Sequence, residues 1–296
     1  MVGSALKNQL SGDVMFANRR DADLTNFEVT KSLFYEFRPT HVLHLAAIVG
    51  GIGGNLMKSG EFFRNNILIN TNVLECARLV KVKRLISFMS TCIFPENSSY
   101  PLSVENIHAG PPHSSNFAYA YAKRMLDIQS RAYRAQWDID FKVVVPANIY
   151  GPHDNWNLEE GHVVPSLIHK CYLAKIKKEP LKVWGSGSPL REFIYSLDVA
   201  KLSDWALHNY EGLDPIILTS GIETSIRDLV MSVAEAMDFR GEIQFDESKP
   251  EGQHRKPSNY LPLKKLLPDF KFTNLQEGIF NTTEWFLRNY PNVRTG

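Results

Sequence analysis

"THVLHLAA" (40–47), "FFRNNILINTNVLECARLV" (62–80) and "RLISFMS" (84–90) decide the fold between them. The outer two are short apolar runs of strand type, and the middle one carries the apolar spacing of an amphipathic helix. A strand, a helix and a second strand in that order predict a crossover connection, which makes the two strands parallel. The alternation continues. A polar loop rich in Pro and Ser (95–115) leads into a helix around Tyr119, and "FKVVVPANIY" (141–150) reads as a further strand. Beyond Gly151 the pattern is mixed, with helices near 163–177 and 198–210 and strands near 181–184 and 191–195. "SIRDLVMSVAEAMD" (225–238) opens on an S-x-x-D capping signal and is helical. The expected architecture is α/β, a doubly wound parallel sheet followed by a smaller α/β domain.

The bulk properties exclude several classes. The 296 residues suffice for one large α/β domain or two closely joined ones. A formal net charge of +1 supplies no field that would recruit nucleic acid or a membrane surface. The longest nearly apolar run, "VLHLAAIVGGIGG" (42–54), is too short and glycine-rich to span a bilayer, and no signal peptide is visible. Cys76, Cys92 and Cys171 are too widely spaced for a disulfide framework or a zinc pattern, and no histidine pair has metal-ligand spacing. The expectation is a cytoplasmic protein without a metal, in which the sequons "NSS" (97–99) and "NTT" (281–283) are chance matches.

The chemistry is concentrated at predicted strand ends. In "NFAYAYAKRM" (116–125), Tyr119 and Lys123 are four apart and share one helix face, whereas Tyr121 points to the other side. An ammonium beside a phenol favours the phenolate, so the pair suits acid–base work at a carbonyl or alcohol. Ser90 closes a predicted strand, where ligands of open α/β sheets bind, and its hydroxyl could hold the same oxygen. Cys92 follows in "STCIFP"; it is either a small buried apolar residue or a thiol facing a ligand. His162 in "EEGHVVP" precedes a helix start. "VGGIGG" (49–54) lacks both phosphate-loop orders and reads as a loop that lets a bulky ligand approach. In "KVWGSGSPLREFIY" (182–195), the Trp184 face and the Arg191 fork suit a nucleobase and a phosphate, although a strand–turn–strand hairpin explains "WGSGSPLR" as well.

At the amino terminus, "MVGSALKNQL" reads as a helix opening with Gly3 in a close-packing position, and "VMFANRR" (14–20) as a short strand ending in two arginines. Gly3 stands either as the last glycine of a dinucleotide fingerprint or as a chance glycine in a helix that begins at Met1.

The Ser90, Tyr119, Lys123 set resembles the extended short-chain dehydrogenase/reductase superfamily. With "STCIFP", "YAYAK", "PANIYGPHDN", "GHVVP" and "VWGSGSPLREF" in this order, the chain closely resembles the GDP-L-fucose synthase family, the GDP-4-keto-6-deoxymannose epimerase–reductases. The likeness runs from Met1 to about Lys256 and more loosely beyond. It implies a Rossmann-like NADP-binding domain over 1–150, to which 193–220 returns, and a GDP-sugar-binding domain over 151–296. It also implies a homodimer formed through two helices per subunit, 62–80 and the Tyr119 helix. Tyr119 would protonate the C4 oxygen of the sugar as hydride arrives from NADPH, with Lys123 lowering its pKa and holding the nicotinamide ribose, and Ser90 binding the same oxygen. Cys92 and His162 would be the base and acid of the epimerisations. Lys170, Trp184, Arg191 and Lys256 would hold the GDP portion, with Glu251 near the sugar nucleotide. Arg19 and Arg20 would meet the NADP 2′-phosphate and Asp23 with Leu24 the adenine. Gly3, Ala46, Ala47, Pro146, Ala147, Asn148, Ile149 and His162 would border the cofactor.

The family begins with a strand and G-x-x-G-x-x-G, and this sequence enters at the final glycine. The expectation is a gap between neighbouring strands, unpaired backbone groups and weakened NADPH binding, because two glycine N–H donors to the pyrophosphate are missing. Two other functions stay open on the residues. One is a non-catalytic homologue that binds sugar nucleotide without turnover; the other is an epimerase of a different sugar nucleotide.

Overall fold

The computed structural model describes residues 1–50, 57–249 and 253–295. Its principal sheet has four parallel strands in the order β1 (His41–His44), β2 (Arg84–Phe88), β3 (Asp140–Pro146) and β7 (Ile216–Leu218). Helix α1 is Val2–Leu6 and α2 is Phe27–Phe37; α3 (Ser59–Leu79) and α4 (Phe117–Trp137) carry the chain from β1 to β2 and from β2 to β3. Side chains of β2 and β3 alternate between the two faces, and both faces are covered. Leu85, Val143 and Val145 pack with Val73 and Leu126 beneath α3 and α4, whereas Ile86, Phe88 and Val144 pack with Val2, Val199 and Leu202 on the opposite side. Burial on both faces explains why these strands read as continuous apolar runs rather than alternating ones. Each such side chain contributes about 1.5–3 kcal/mol by leaving water.

The remaining elements form two smaller sheets. β4 (Asn148–Tyr150) pairs in parallel with β6 (Leu190–Tyr195), which pairs antiparallel with β8 (Glu223–Ser225); β5 (Leu181–Trp184) pairs with β9 (Ile243–Asp246). With them lie α5 (Val163–Lys177), α7 (Ile226–Ala236) and α9 (Leu275–Asn289), whereas α6 (Ser196–Asn209) and α8 (Leu261–Leu266) pack against the main sheet. A second core joins Tyr150, Trp156, Ile168, Leu229, Val233 and Phe286. The predicted cap of α7 is made: the Ser225 hydroxyl accepts the Asp228 N–H at 2.9 Å.

Three expectations are corrected. "FKVVVPANIY" is two strands in two sheets, because at Ala147 the chain leaves β3, its N–H donating to the Leu218 carbonyl, before β4 joins β6. The "WGSGSPLR" hairpin does not form, since β5 and β6 take partners in different sheets. "VMFANRR" is not a strand: β1 pairs only with β2 among the described residues, and Val14 and Met15 are exposed. The four strands of the main sheet are contiguous, and among the described residues β1 pairs on one side only, with β2. At Gly3 an added Cβ would rest 3.8 Å from Leu45 Cδ1, an ordinary contact, so packing alone does not call for glycine there.

Beneath the strand ends lies a buried polar column. His44 Nε2 is 3.0 Å from Asn70 Oδ1, and the Asn70 amide donates to the Ala122 carbonyl at 3.1 Å. Burial, reinforced by the nearby Lys123 charge, lowers the His44 pKa from 6.5 to about 3. The ring is therefore neutral in the fold but protonates in the unfolded chain below its ordinary value. The unfolded state binds the extra proton, and stability falls as the pH drops from 6.5 towards 3. Going from pH 6.5 to 5 removes about 2 kcal/mol through this group. In urea unfolding, His44→Gln is expected to show a smaller loss of midpoint between pH 7 and 5 than the wild type; equal losses would contradict the assignment.

Candidate active site

The site forms where the carboxyl end of β2 meets the first turns of α4. Ser90 sits in extended backbone just past β2, and a 3-10 turn at Thr91–Ile93 places Cys92 on the same rim. Tyr119 and Lys123 project inward from α4, 8% and 2% exposed, and the Lys123 Nζ lies 6.0 Å from the Tyr119 ring centre. Tyr121, on the other face, is half-exposed beside the Arg124 guanidinium at 5.3 Å. The helical spacing read from the sequence holds.

The electrostatics differ from the expected ones. Burial raises the Tyr119 phenol above its ordinary value, with Cys92 adding to the effect. Burial lowers Lys123 to about 8, and its ammonium donates to the Phe88 carbonyl at 2.9 Å. Desolvation dominates in this environment, so Tyr119 stays protonated at neutral pH. The Cys92 thiol is likewise pushed up by burial, opposed by the charge of Lys256, a hydrogen bond with Ser90 and the charge of Lys123. Ser90, Cys92, Tyr119, Lys123 and Lys256 thus form one electrostatically connected set.

His162 caps the start of α5 with its side chain 49% exposed and its Nδ1 3.5 Å from Asp154 Oδ1. Asp154 raises its pKa, against burial and the charge of Arg294. The next residue, Val163, lines a cleft with Asn148, Trp184, Arg191 and Phe193. The Lys170 Nζ lies 5.3 Å over the Trp184 ring, which is 61% exposed. Burial disfavours the charge on Lys170, Arg191 and Lys256 alike, and Lys256 also feels Arg191. Three cations held partly out of water around an exposed indole fit an anion attached to an aromatic ring. Gly187 turns the chain beneath this cleft at φ +79°, where an added Cβ would lie 2.5 Å from Phe245.

Some of the other predicted positions lie at the carboxyl ends of the main strands. Ala46 and Ala47 follow β1; Pro146 ends β3, Ala147 is buried, and Asn148 donates to the Glu192 carbonyl at 2.8 Å with Ile149 beside it. Arg19 and Arg20 lie in an exposed turn and form no ion pair among the described residues. Asp23 accepts the Thr25 N–H at 3.0 Å and hydroxyl at 2.7 Å, bonds that lower its pKa, and the Leu24 carbonyl accepts from Asn72 at 2.9 Å. Glu251 and 51–54 of the glycine loop lie outside the described residues. Sequence reading did not single out Asp154; an acid two residues beyond the strand-end "GP" was its only signal. It also assigned Lys256 to the nucleotide alone, whereas the fold brings it within electrostatic reach of Cys92.

Comparison with known proteins agrees with this geometry. Residues 1–218 match the model of the NAD dependent epimerase/dehydratase family. A GDP-L-fucose synthase of Dictyostelium discoideum is 49% identical over 96% of this chain and 90% of its own. A probable GDP-L-fucose synthase of Drosophila melanogaster is 42% identical over 99% and 96%. The crystal structure of a GDP-L-fucose synthetase from Naegleria fowleri bound to NADP superposes with a TM-score of 0.95, at 41% identity over 99% of this chain and 91% of that one. The chain belongs to the NAD dependent epimerase/dehydratase family, among its GDP-L-fucose synthases.

Proposed function

We propose that this chain is an NADPH-dependent epimerase–reductase that converts GDP-4-keto-6-deoxy-D-mannose into GDP-L-fucose, inverting C3 and C5 and reducing the C4 ketone. The observation that carries the reading is the connected set of Ser90, Cys92, Tyr119, Lys123 and Lys256, beside the cleft of Trp184 and Arg191. Relatives and a solved neighbour named for this activity support it.

The residues at the main strand ends fit a dinucleotide. Ala46, Ala47, Pro146 and Ala147 are small or compact side chains at the carboxyl ends of β1 and β3, the parallel strands on either side of β2, the place where open α/β sheets take ligands. Gly3, Asp23, Leu24, Asn148 and Ile149 complete that border, and the exposed Arg19 and Arg20 suit the 2′-phosphate of NADP. NADPH, when bound, supplies the hydride to C4. Tyr119, kept protonated by burial, donates its proton to the C4 oxygen while Ser90 hydrogen-bonds that oxygen and Lys123 takes the nicotinamide ribose. A 4-ketone acidifies the C–H bonds at C3 and C5. Cys92 and His162 remove and return those protons on opposite faces of the ring. Lys170, Trp184, Arg191 and Lys256 hold the GDP portion, with Glu251 assigned to the sugar nucleotide. The cofactor domain spans 1–150 and the substrate domain 151–296. The pairing of β7 with β3 and the packing of α6 beneath the main sheet support a return of 193–220 to the former.

The protein works as a homodimer through α3 and α4. An apolar cleft lined by Phe63, Phe117, Tyr121 and Met125 spans these two helices, with Phe63 and Phe117 44% and 49% exposed. No helix among the described residues is long and apolar enough to cross a membrane. The cytoplasm is the proposed location, and three unpaired cysteines, two of them buried, suit its reducing conditions.

Tyr119→Phe is expected to abolish NADPH oxidation with the keto-sugar nucleotide, while Tyr121→Phe leaves it largely intact; comparable losses would refute the Tyr119–Lys123 assignment. Cys92→Ser should suppress deuterium uptake from solvent at C3 and C5, and His162→Gln should impair it too. Uptake at the wild-type rate in Cys92→Ser would make the thiol structural. In light scattering the protein should have twice the chain mass and Phe63→Glu the mass of one chain; a monomeric wild type would end the dimer proposal.

A further inference from the structure

The carboxylate of Asp154 has no place in the chemistry above. It lies on the loop that follows β4, with its side chain 2% exposed. Oδ1 accepts the Asn155 N–H at 2.7 Å and stands 3.5 Å from Nδ1 of His162, whereas Oδ2 is buried without a hydrogen-bond partner. A buried carboxylate is costly unless a cation or several donors face it. One side-chain base in its reach is the imidazole of His162, eight residues further along the chain.

We propose that Asp154 is a positioning residue for His162: its buried carboxylate accepts the Nδ1–H of the imidazole, orients the ring, and leaves Nε2 as the atom that exchanges protons with the substrate. This rests on the epimerase–reductase reading and adds a residue to it.

The surroundings of His162 show why such a partner is needed. The ring sits at the N-cap of α5, where the helix N–H groups disfavour a positive charge, typically by 0.3–1 kcal/mol. Arg294 and burial act in the same direction. Against these, the carboxylate at 3.5 Å prevails, and the histidine is held above its ordinary value. The two ring nitrogens are distinct, and the hydrogen bond made by one fixes what the other can do. With Nδ1–H directed at Asp154, Nε2 is the only ring nitrogen left for the cleft that Val163 lines. The proton delivered to the sugar carbon leaves from Nε2, and the Nδ1 proton stays on the ring throughout.

The test is nitrogen-15 NMR of histidine-labelled protein, with His162 assigned by the signal lost in His162→Gln. The neutral ring in the wild type is expected to carry its proton on Nδ1. Asp154→Asn should lower the His162 titration midpoint and reduce deuterium uptake at C3 and C5 on the order of 10- to 100-fold, with Asp154→Glu restoring part of both. NADP+ affinity and melting temperature report whether Asp154→Asn remains folded. A wild-type ring protonated on Nε2 overturns the proposal whatever the variants do. An unchanged midpoint in folded Asp154→Asn also overturns it. A wild type with the Nδ1 proton and the midpoint shift in Asp154→Asn, but no deuterium uptake from its keto-sugar nucleotide, would uphold the Asp154–His162 pair and remove the substrate reading instead.

Discussion

A buried hydrogen bond ties the reactive helix to the end of β2: the Lys123 ammonium donates to the Phe88 carbonyl at the last residue of that strand. With the Arg134 guanidinium donating to the Phe141 carbonyl further along, it sets the rotation of α4 against the sheet. Once Lys123 is pinned there, helical geometry places Tyr119 one turn earlier on the same face, over the strand end that carries Ser90 and Cys92. The carbonyl is available because β2 stops at Phe88; Met89 turns its N–H to Val144, and the chain then coils into the turn at Thr91–Ile93. Below, His44 and Asn70 support the same helix through the Ala122 carbonyl. The column has to be neutral. A second positive charge at His44 would face Lys123 in low dielectric, and burial with that repulsion keeps the ring unprotonated.

Burial therefore sets the protonation states more than pairing does. Tyr119 and Cys92 move up and Lys123 moves down, each chiefly through loss of water. His162 is the exception, because it is half-exposed and has a carboxylate at its back. The phenol is thereby held in its protonated form, and the imidazole is held above its ordinary value by the carboxylate.

Local features were legible in the sequence and tertiary ones were not. The Tyr119–Lys123 face, the Ser225 cap and the βα alternation depend on spacings of a few residues, and each stands in the structure. The division of "FKVVVPANIY" between two sheets depends on which strands lie beside Ala147, which no periodicity in that run records. The strand expected at 14–20 failed for the same reason, since a strand exists only with a partner. Asp154 was invisible because the loop from β4 to α5 folds back to bring His162 to it, and no regular spacing records such a fold. Lys256 escaped because its distance from Cys92 along the chain hides their electrostatic contact.

On the proposed chemistry, one ketone links the two halves of the site and orders them. The C–H bonds at C3 and C5 are acidic only while C4 is a carbonyl, because the carbanion left by deprotonation is stabilised as an enolate through that carbonyl. Reduction at C4 ends that acidity. Epimerisation must then precede hydride transfer, and a site that reduced first would release an uninverted sugar. Burial of Tyr119 bears on this order. A phenol held well above its ordinary value gives up its proton only to a strongly basic oxygen, and the C4 oxygen becomes one as hydride reaches the carbon. During enolisation the same hydroxyl can hydrogen-bond the developing oxyanion without transferring its proton. One side chain thereby supports both steps, and the pKa imposed by its burial separates stabilising the enolate from completing the alcohol.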